Sequence, residues 1–164
     1  MITKLIEQVD RLEKMIENLS EEEALKKSDD SSWSVCEIIE HMISVERGIA
    51  VLLKNNEGAI ITDSSYYGKD KIESINQNME ARYKAPSPLN PKGRINNVEK
   101  GIGMLREVRT GLKGAIDSDK IQWNIEPVPH PLIGKMTKQD WLSFMTSHFE
   151  RHLVQIERTI ASVT

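Results

Sequence analysis

The sequence predicts an all-α fold, a four-helix bundle with a long connection between its second and third long helices. Three observations predict it. Four stretches carry apolar residues at alternating spacings of three and four, the pattern of an amphipathic helix. Capping signals mark where helices begin. Pro86, Pro88 and Pro91 sit close together in the middle of the chain and forbid helix continuation there.

The first stretch covers 2–19. Ile2, Leu5, Val9, Leu12, Ile16 and Leu19 form one stripe, suited to packing at a shallow angle. Ser20 and the three glutamates after it can start a short turn running to about Lys27. The second stretch covers 35–54. Ser34 stands three residues before Glu37, a capping box, and Trp33 and Ile38 are placed for a hydrophobic staple. Its inward stripe is Ile38, His41 with Met42, Val45, Ile49 and Leu52, and the run from Asn55 to Gly58 stops it.

A less regular region follows, 59–93, with one helical segment expected from Lys71 to Lys84. The third long helix is expected over 94–117. Ile95, Val98, Ile102, Leu105, Leu112 and Ile116 hold its stripe, with Val108 or Arg109 at one ambiguous step. Gly101, Gly103, Gly111 and Gly114 each weaken it by about 1 kcal/mol relative to Ala, so packing must stabilise it. The glycines also permit another helix to approach closely. The fourth helix is expected over 138–161, with Thr137 as N-cap, Asp140 at N3, and Met136 and Trp141 as a staple. Its inward stripe reads Trp141, Phe144 with Met145, His148, His152, Ile156 and Ile160. The segment 127–134 before it is a proline-rich approach loop, and 121–125 is the one short strand candidate. The long second connection lets the middle pair run parallel, and an up-up-down-down order is open to such a chain.

The 164 residues suffice for one domain, 1–164, with a buried core. Apolar residues make up 38% and charged residues 29%, which excludes a disordered chain. The net charge is -3 and the basic residues are scattered, so neither nucleic acid nor an anionic membrane is an expected partner. No apolar run is long enough to span a bilayer, and the N-terminus lacks the apolar core of a signal peptide. Cys36 is the only cysteine, so no intrachain disulfide can form. Together these point to the cytoplasm.

Three of the four histidines carry the chemistry. His148 and His152 are four apart on a helix, one turn apart on one face, with Cβ atoms about 6 Å from each other. Two such imidazoles can chelate one ion. Both occupy stripe positions, and His41 lies at the edge of the stripe on the second helix. A buried imidazole must find hydrogen-bond partners or a metal. Spacing alone leaves both readings standing: three satisfied core histidines, or three ligands of one divalent ion. Three neutral imidazoles would leave a coordination position open for water or substrate, the arrangement of a reactive zinc site.

Taken together, Trp33-Ser34 with Glu37-Ile38 and His41, then His130-Pro131 with Gly134, Met136 and Thr137, then His148 and His152 with Gln155-Ile156, resemble the DinB/YfiT superfamily. The resemblance spans nearly the whole chain, including its proline-rich middle. It implies a four-helix bundle of up-down-down-up or related order, often dimeric, holding a divalent metal through three histidines that match His41, His148 and His152. Zinc is the first expectation for the ion and nickel the alternative. Characterised relatives include S-transferases using bacillithiol or mycothiol and a maleylpyruvate isomerase of related fold; others are described as metal-dependent hydrolases or stress-induced proteins. The resemblance therefore implies a metal-dependent enzyme on a small molecule, first a thiol S-transferase. A hydrolase and a non-catalytic, stress-associated metal-binding bundle are the alternatives.

Other residues carry less. His130 could line the pocket mouth or give a hydrogen bond to a ligand-binding histidine, or simply pack its loop. Glu37 could act as general base, although the capping box already explains it. Gln155 could point toward the cavity. Glu46 and Glu150 are expected at solvent or at a rim. Cys36 lies in a first helical turn, where the dipole lowers a thiol pKa, but no base stands near it in sequence. Gly101 and Gly103 fall inside a helix and form no dinucleotide loop. Tyr66, Tyr67 and Tyr83 could line an entrance, and Trp33, Trp123 and Trp141 are read as core anchors. Ile6, Met15 and Ile39 look like surplus apolar positions for a homodimer.

Overall fold

A computed structural model of the protein describes residues 2–62, 67–78 and 85–164. Its elements run α1 (Ile2–Ile16), α2 (Glu21–Leu25), α3 (Val35–Lys54), α4 (Lys69–Gln77), a 3-10 turn (Ser87–Leu89), α5 (Val98–Asp117), β1 (Val128–His130), β2 (Gly134–Met136) and α6 (Lys138–Val163). The long helices α1, α3, α5 and α6 form the bundle.

Local chemistry sets the helix starts. Ser20, Ser34 and Thr137 each accept from the N3 backbone N–H, while Glu23, Glu37 and Asp140 reach back to the cap N–H. The residues expected as staples lie in common apolar clusters, Trp33 with Ile38 in one and Met136 with Trp141 in another. The third long helix begins later than its periodicity suggests. Asn97 caps it, accepting from Lys100 N, so Arg94 and Ile95 lie before the helix. The helix expected to start at Lys71 is α4, which starts at Lys69 and gives way at Asn78; 79–84 lie outside the described residues.

The strands fall elsewhere than expected. Within 121–125, only Ile125 pairs, in an isolated bridge with Ile60. The approach loop is itself a two-stranded antiparallel hairpin, Val128 opposite Met136 and His130 opposite Gly134. Gly134 adopts φ +86°, a conformation that side chains resist, and this lets the turn close. The Trp141 indole donates to the Val128 carbonyl and ties the hairpin to α6.

Side-chain contacts give the helix directions. Arg109 on α5 meets Leu5 and Gln8 of α1, whereas Arg106 meets Asp10 and Glu13, so these helices are antiparallel. Gly101 approaches Ile39 and Arg109 pairs with Glu46, so α3 and α5 are parallel. His41 meets His148 while Leu53 meets Lys138, so α3 and α6 are antiparallel. The order is up-down-down-up. The middle pair is parallel as the long connection allows, but the up-up-down-down order is not adopted. Around the bundle the helices follow α1, α5, α3, α6.

Two apolar clusters fill the interior. One gathers Val9, Leu12, Ile38, Ile39, Leu105, Phe149 and Ile156; the other gathers Leu5, Val45, Leu53, Leu112 and Met145. Between them lies a polar layer. Arg109 takes the ambiguous stripe position, fully buried, and forks onto the Glu46 carboxylate at 2.9 and 2.5 Å. It also donates to the Leu5 carbonyl and Gln8 Oε1, and its guanidinium lies 4.1 Å from the Phe149 ring centre. Glu46 is thus not at solvent or rim but 1% exposed. The guanidinium accounts for this, because a carboxylate enters a core only with a charged, hydrogen-bonded partner. Glu150 does lie at the rim, accepting from Gln8 and Arg11. Ile39 is also corrected: it is wholly buried against α5, and Ile6 and Met15 are half-buried. The Ile2 side chain lies outside the described residues.

Candidate metal centre

The apolar arc of α6 is broader than a single stripe. Leu142, Met145, Phe149, Leu153 and Ile156 face the core. The adjoining row, Trp141, Phe144, His148, Arg151 and Gln155, lines a cavity of about 920 Å³ between α6 and α3. From α3 the wall is completed by His41, Val45, Gly48 and Leu52, and from the connections by Leu89 and His130. His148 therefore looks into the cavity rather than the packed core. His41 and His152 are more deeply buried at its floor.

The three imidazoles converge. His148 Nε2 lies 3.2 Å from His41 Nε2 and 3.0 Å from His152 Nε2. The other ring nitrogens fix the tautomers. His41 donates from Nδ1 to the Leu89 carbonyl at 2.8 Å, and His152 donates from Nδ1 to Gln155 Oε1 at 2.7 Å. In the neutral rings, Nε2 of both then carries a lone pair aimed at His148 Nε2. At most one proton, on His148, is available to mediate between three nitrogens. A divalent cation would resolve the crowding. Nitrogens at 2.0–2.1 Å around a tetrahedral ion are about 3.3 Å apart, close to the spacings seen. Among the described residues no carboxylate or thiolate joins the group, so three histidine ligands would leave a coordination position open.

Electrostatics favour the neutral form of all three rings. Burial, followed by the charges of His41 and Arg151, lowers His152 to about 3, with Gln155 opposing. His148 falls well below its ordinary value, from burial first and then from His152, His41, Arg151 and His130. His41 is also lowered by burial, against the Leu89 hydrogen bond.

The position of His41 depends on residues without a sequence motif. Glu40, 5% exposed, accepts from the backbone N–H groups of Lys92 and Arg94. It thereby fastens the end of the long connection that supplies the Leu89 carbonyl. Lys138 donates to the Leu53 and Asn55 carbonyls and to Asn56 Oδ1. That caps the C-terminus of α3 with the first residue of α6 and sets the register of the two histidine-bearing helices. Only a buried charge distinguishes either residue, and burial is not visible in sequence.

The remaining candidates separate cleanly. Gln155 holds His152, an orienting contact. His130 lines the cavity, and its ring packs on Phe144 and Trp141 at centroid distances of 4.8 and 5.5 Å. Glu37 caps α3 and pairs with Lys27, away from the cavity wall. Cys36 is buried, and its thiol is pushed up to about 11, first by burial and then by Glu37, which overrides the helix dipole and leaves it no nucleophile. Trp33 and Trp141 are half-buried, packing on the core clusters while also lining the cavity, and Trp123 is half-buried against the second cluster. Tyr67 is half-exposed and not part of the cavity wall; its backbone N–H and that of Gly68 are held by Asp140. Tyr66 and Tyr83 lie outside the described residues. Among the described residues no helix is long and apolar enough to cross a membrane.

Comparison with known proteins places this geometry in context. A family model described as the DinB superfamily matches residues 4–156. The uncharacterized protein YuaE of Bacillus subtilis (strain 168) is 29% identical over 146 residues, covering 87% of this chain and 86% of that protein. Among solved structures, the chain is similar to YfiT from Bacillus subtilis, described as a probable metal-dependent hydrolase with an unusual four-helix bundle topology. That match has a TM-score of 0.61 and 14% identity, covering 96% of this chain and 82% of that one.

Proposed function

The chain belongs to the DinB superfamily, and from that premise we propose that it is a metal-dependent enzyme acting on a small molecule, with His41, His148 and His152 as the ligands of one divalent ion. The observation that carries the reading is the convergence of three Nε2 atoms at the floor of a large cavity, two of them fixed as lone-pair donors by Leu89 and Gln155. The ion would be zinc first and nickel second, since both accept imidazole nitrogen. When bound, such an ion supplies Lewis acidity that deprotonates a coordinated thiol or water.

The chain's own residues favour thiol transfer. The described cavity wall contains no glutamate, and its one aspartate, Asp29, accepts from Ser31 and Ser32 in a turn. Among the described residues no carboxylate is therefore aligned as general base beside the histidines. A thiol is acidic enough to lose its proton on coordination without one. The apolar side chains of Val45, Ile49, Leu52 and Phe144 exclude water around the reacting group and seat an apolar acceptor. We read the activity as S-transfer from a low-molecular-weight thiol, in the cytoplasm. Hydrolysis is the alternative, supported by what is said of YfiT.

Elemental mass spectrometry of untagged protein should find about one zinc or nickel per chain. His148→Ala and His41→Ala should each lose most of it while remaining folded by circular dichroism. Unchanged metal content in folded variants would remove the ligand assignment. Turnover of electrophilic small molecules by the metal-loaded protein should require an added thiol. Equal turnover without thiol would make hydrolysis the activity.

A further inference from the structure

Beside His41 on α3 stands a carboxylate that the proposed chemistry does not use. Glu40 and His41 are successive residues of one helix, so their side chains leave it about 100° apart. Both nevertheless grip the same piece of the long connection. His41 Nδ1 donates to the Leu89 carbonyl at 2.8 Å. Glu40, 5% exposed, accepts from the Lys92 N–H at 2.8 Å through Oε1 and from the Arg94 N–H at 2.9 Å through Oε2, with the Ile95 N–H at 3.5 Å. Gly93 lies between the two closer donors at φ +73°, a backbone shape that lets both N–H groups turn to one carboxylate.

This hold is made on backbone. The Arg94 side chain is 63% exposed and its Nε stands 3.9 Å from Glu40 Oε1, a pair that water screens. Between Leu89, half-buried, and Ile95, buried in the first apolar cluster, no side chain is buried, so packing does little to fix the segment. Trp33 packs beside the His41 ring at 5.0 Å between centroids, but such a contact does not choose between the two ring nitrogens. The Leu89 carbonyl does, by keeping the proton on Nδ1 and leaving Nε2 its lone pair. The same connection is also cavity wall, through Ala85, Pro86, Leu89 and Asn90.

We infer that Glu40 is a positioning residue that joins the metal centre and the 89–94 segment into one cooperative unit. Its grip at Lys92 and Arg94 keeps the Leu89 carbonyl against His41, and an ion bound through His41 in turn fixes that stretch of cavity wall. The coupling acts equally in both directions, as linkage requires. It rests on the metal-dependent reading above and adds that loading shapes the cavity besides supplying its chemistry.

Two variants loosen the hold from opposite sides. Glu40→Gln keeps the size of the side chain but turns one acceptor oxygen into an amide nitrogen that cannot accept. Gly93→Ala leaves every charge in place, and its Cβ meets nothing within 4 Å, so it acts through the strained φ alone. Arg94→Ala is the control, removing the side chain and keeping the N–H. Zinc affinity would be measured by competition with a chromophoric chelator, and amide exchange by NMR with and without zinc. In the wild type, zinc should slow exchange at Lys92 and Arg94 more than at Ser118, whose N–H caps the distant end of α5. Glu40→Gln should weaken zinc binding by roughly tenfold to a hundredfold and abolish that added protection. Gly93→Ala should weaken it by about threefold or more, and Arg94→Ala should stay within about twofold. Folded Glu40→Gln protein with unchanged affinity, or wild-type protection no greater at Lys92 and Arg94 than at Ser118, would overturn the coupling and leave the ligand assignment standing. So would an Arg94→Ala variant as weak as Glu40→Gln, or an unchanged Gly93→Ala, since Glu40 would then act through its charge. A wild type that binds no zinc would overturn the metal centre, and the coupling with it.

Discussion

At the scale of single residues, the centre depends on imidazoles that remain neutral where an exposed histidine would protonate. The consequence for stability has a definite sign. In the unfolded chain each histidine takes up a proton near pH 6.5. In the folded protein His152 does so only near 3, with His41 and His148 also lowered. Between those values the unfolded state binds more protons, so stability falls as the pH drops below about 6.5, with a slope of up to ~1.4 kcal/mol per pH unit for each histidine. Thermal unfolding of the metal-free protein should show a Tm that is flat above pH 7 and declines steadily from 6.5 toward 4. A wild-type profile no steeper than that of His148→Ala would contradict this. Arg109 and Glu46 pose the opposite case, a buried charged pair. Arg109→Met alone leaves a buried carboxylate without its partner and should cost about 3–5 kcal/mol in urea unfolding. Adding Glu46→Leu should recover most of the loss. A single variant within about 1 kcal/mol of wild type would show that the layer is not held by this pair.

At the scale of elements, helix starts were legible and helix faces were not. The capping boxes at Ser34 and Thr137 are visible because they depend on residues three apart. The face of α6 that meets the core is not, because its apolar arc spans two rows and periodicity does not rank them. The sequence therefore placed His148 in the core stripe, when its row faces the cavity. Glycines divide in the same way. A Cβ on Gly101 would stand 2.6 Å from Ile39 Cγ2, whereas one on Gly103 meets nothing within 4 Å. Gly101→Ala should therefore destabilise by about 1–3 kcal/mol despite the better helix propensity. Gly103→Ala should stabilise by up to about 1 kcal/mol. Parallel urea titrations would check both, and equal effects would show that the close contact between α3 and α5 does not constrain the helix.

For the molecule as a whole, the up-down-down-up order makes the site. It sets α3 and α6 antiparallel, so His41, early in one helix, meets His148 and His152, in the middle of the other. The long connection then returns to place Leu89 behind His41, with Glu40 holding its end. By itself the sequence determined the four amphipathic helices, the long connection between the second and third, and the three histidines as a set. These follow from short-range periodicity, capping and residue type, which act within a few turns of chain. Only the tertiary structure decided the bundle order, the hairpin over 128–136, the pairing of Glu46 with Arg109, and which wall of the cavity each histidine occupies. Those depend on contacts between residues tens of positions apart, and on burial that turns an ordinary charge such as Glu40 or Lys138 into a clamp.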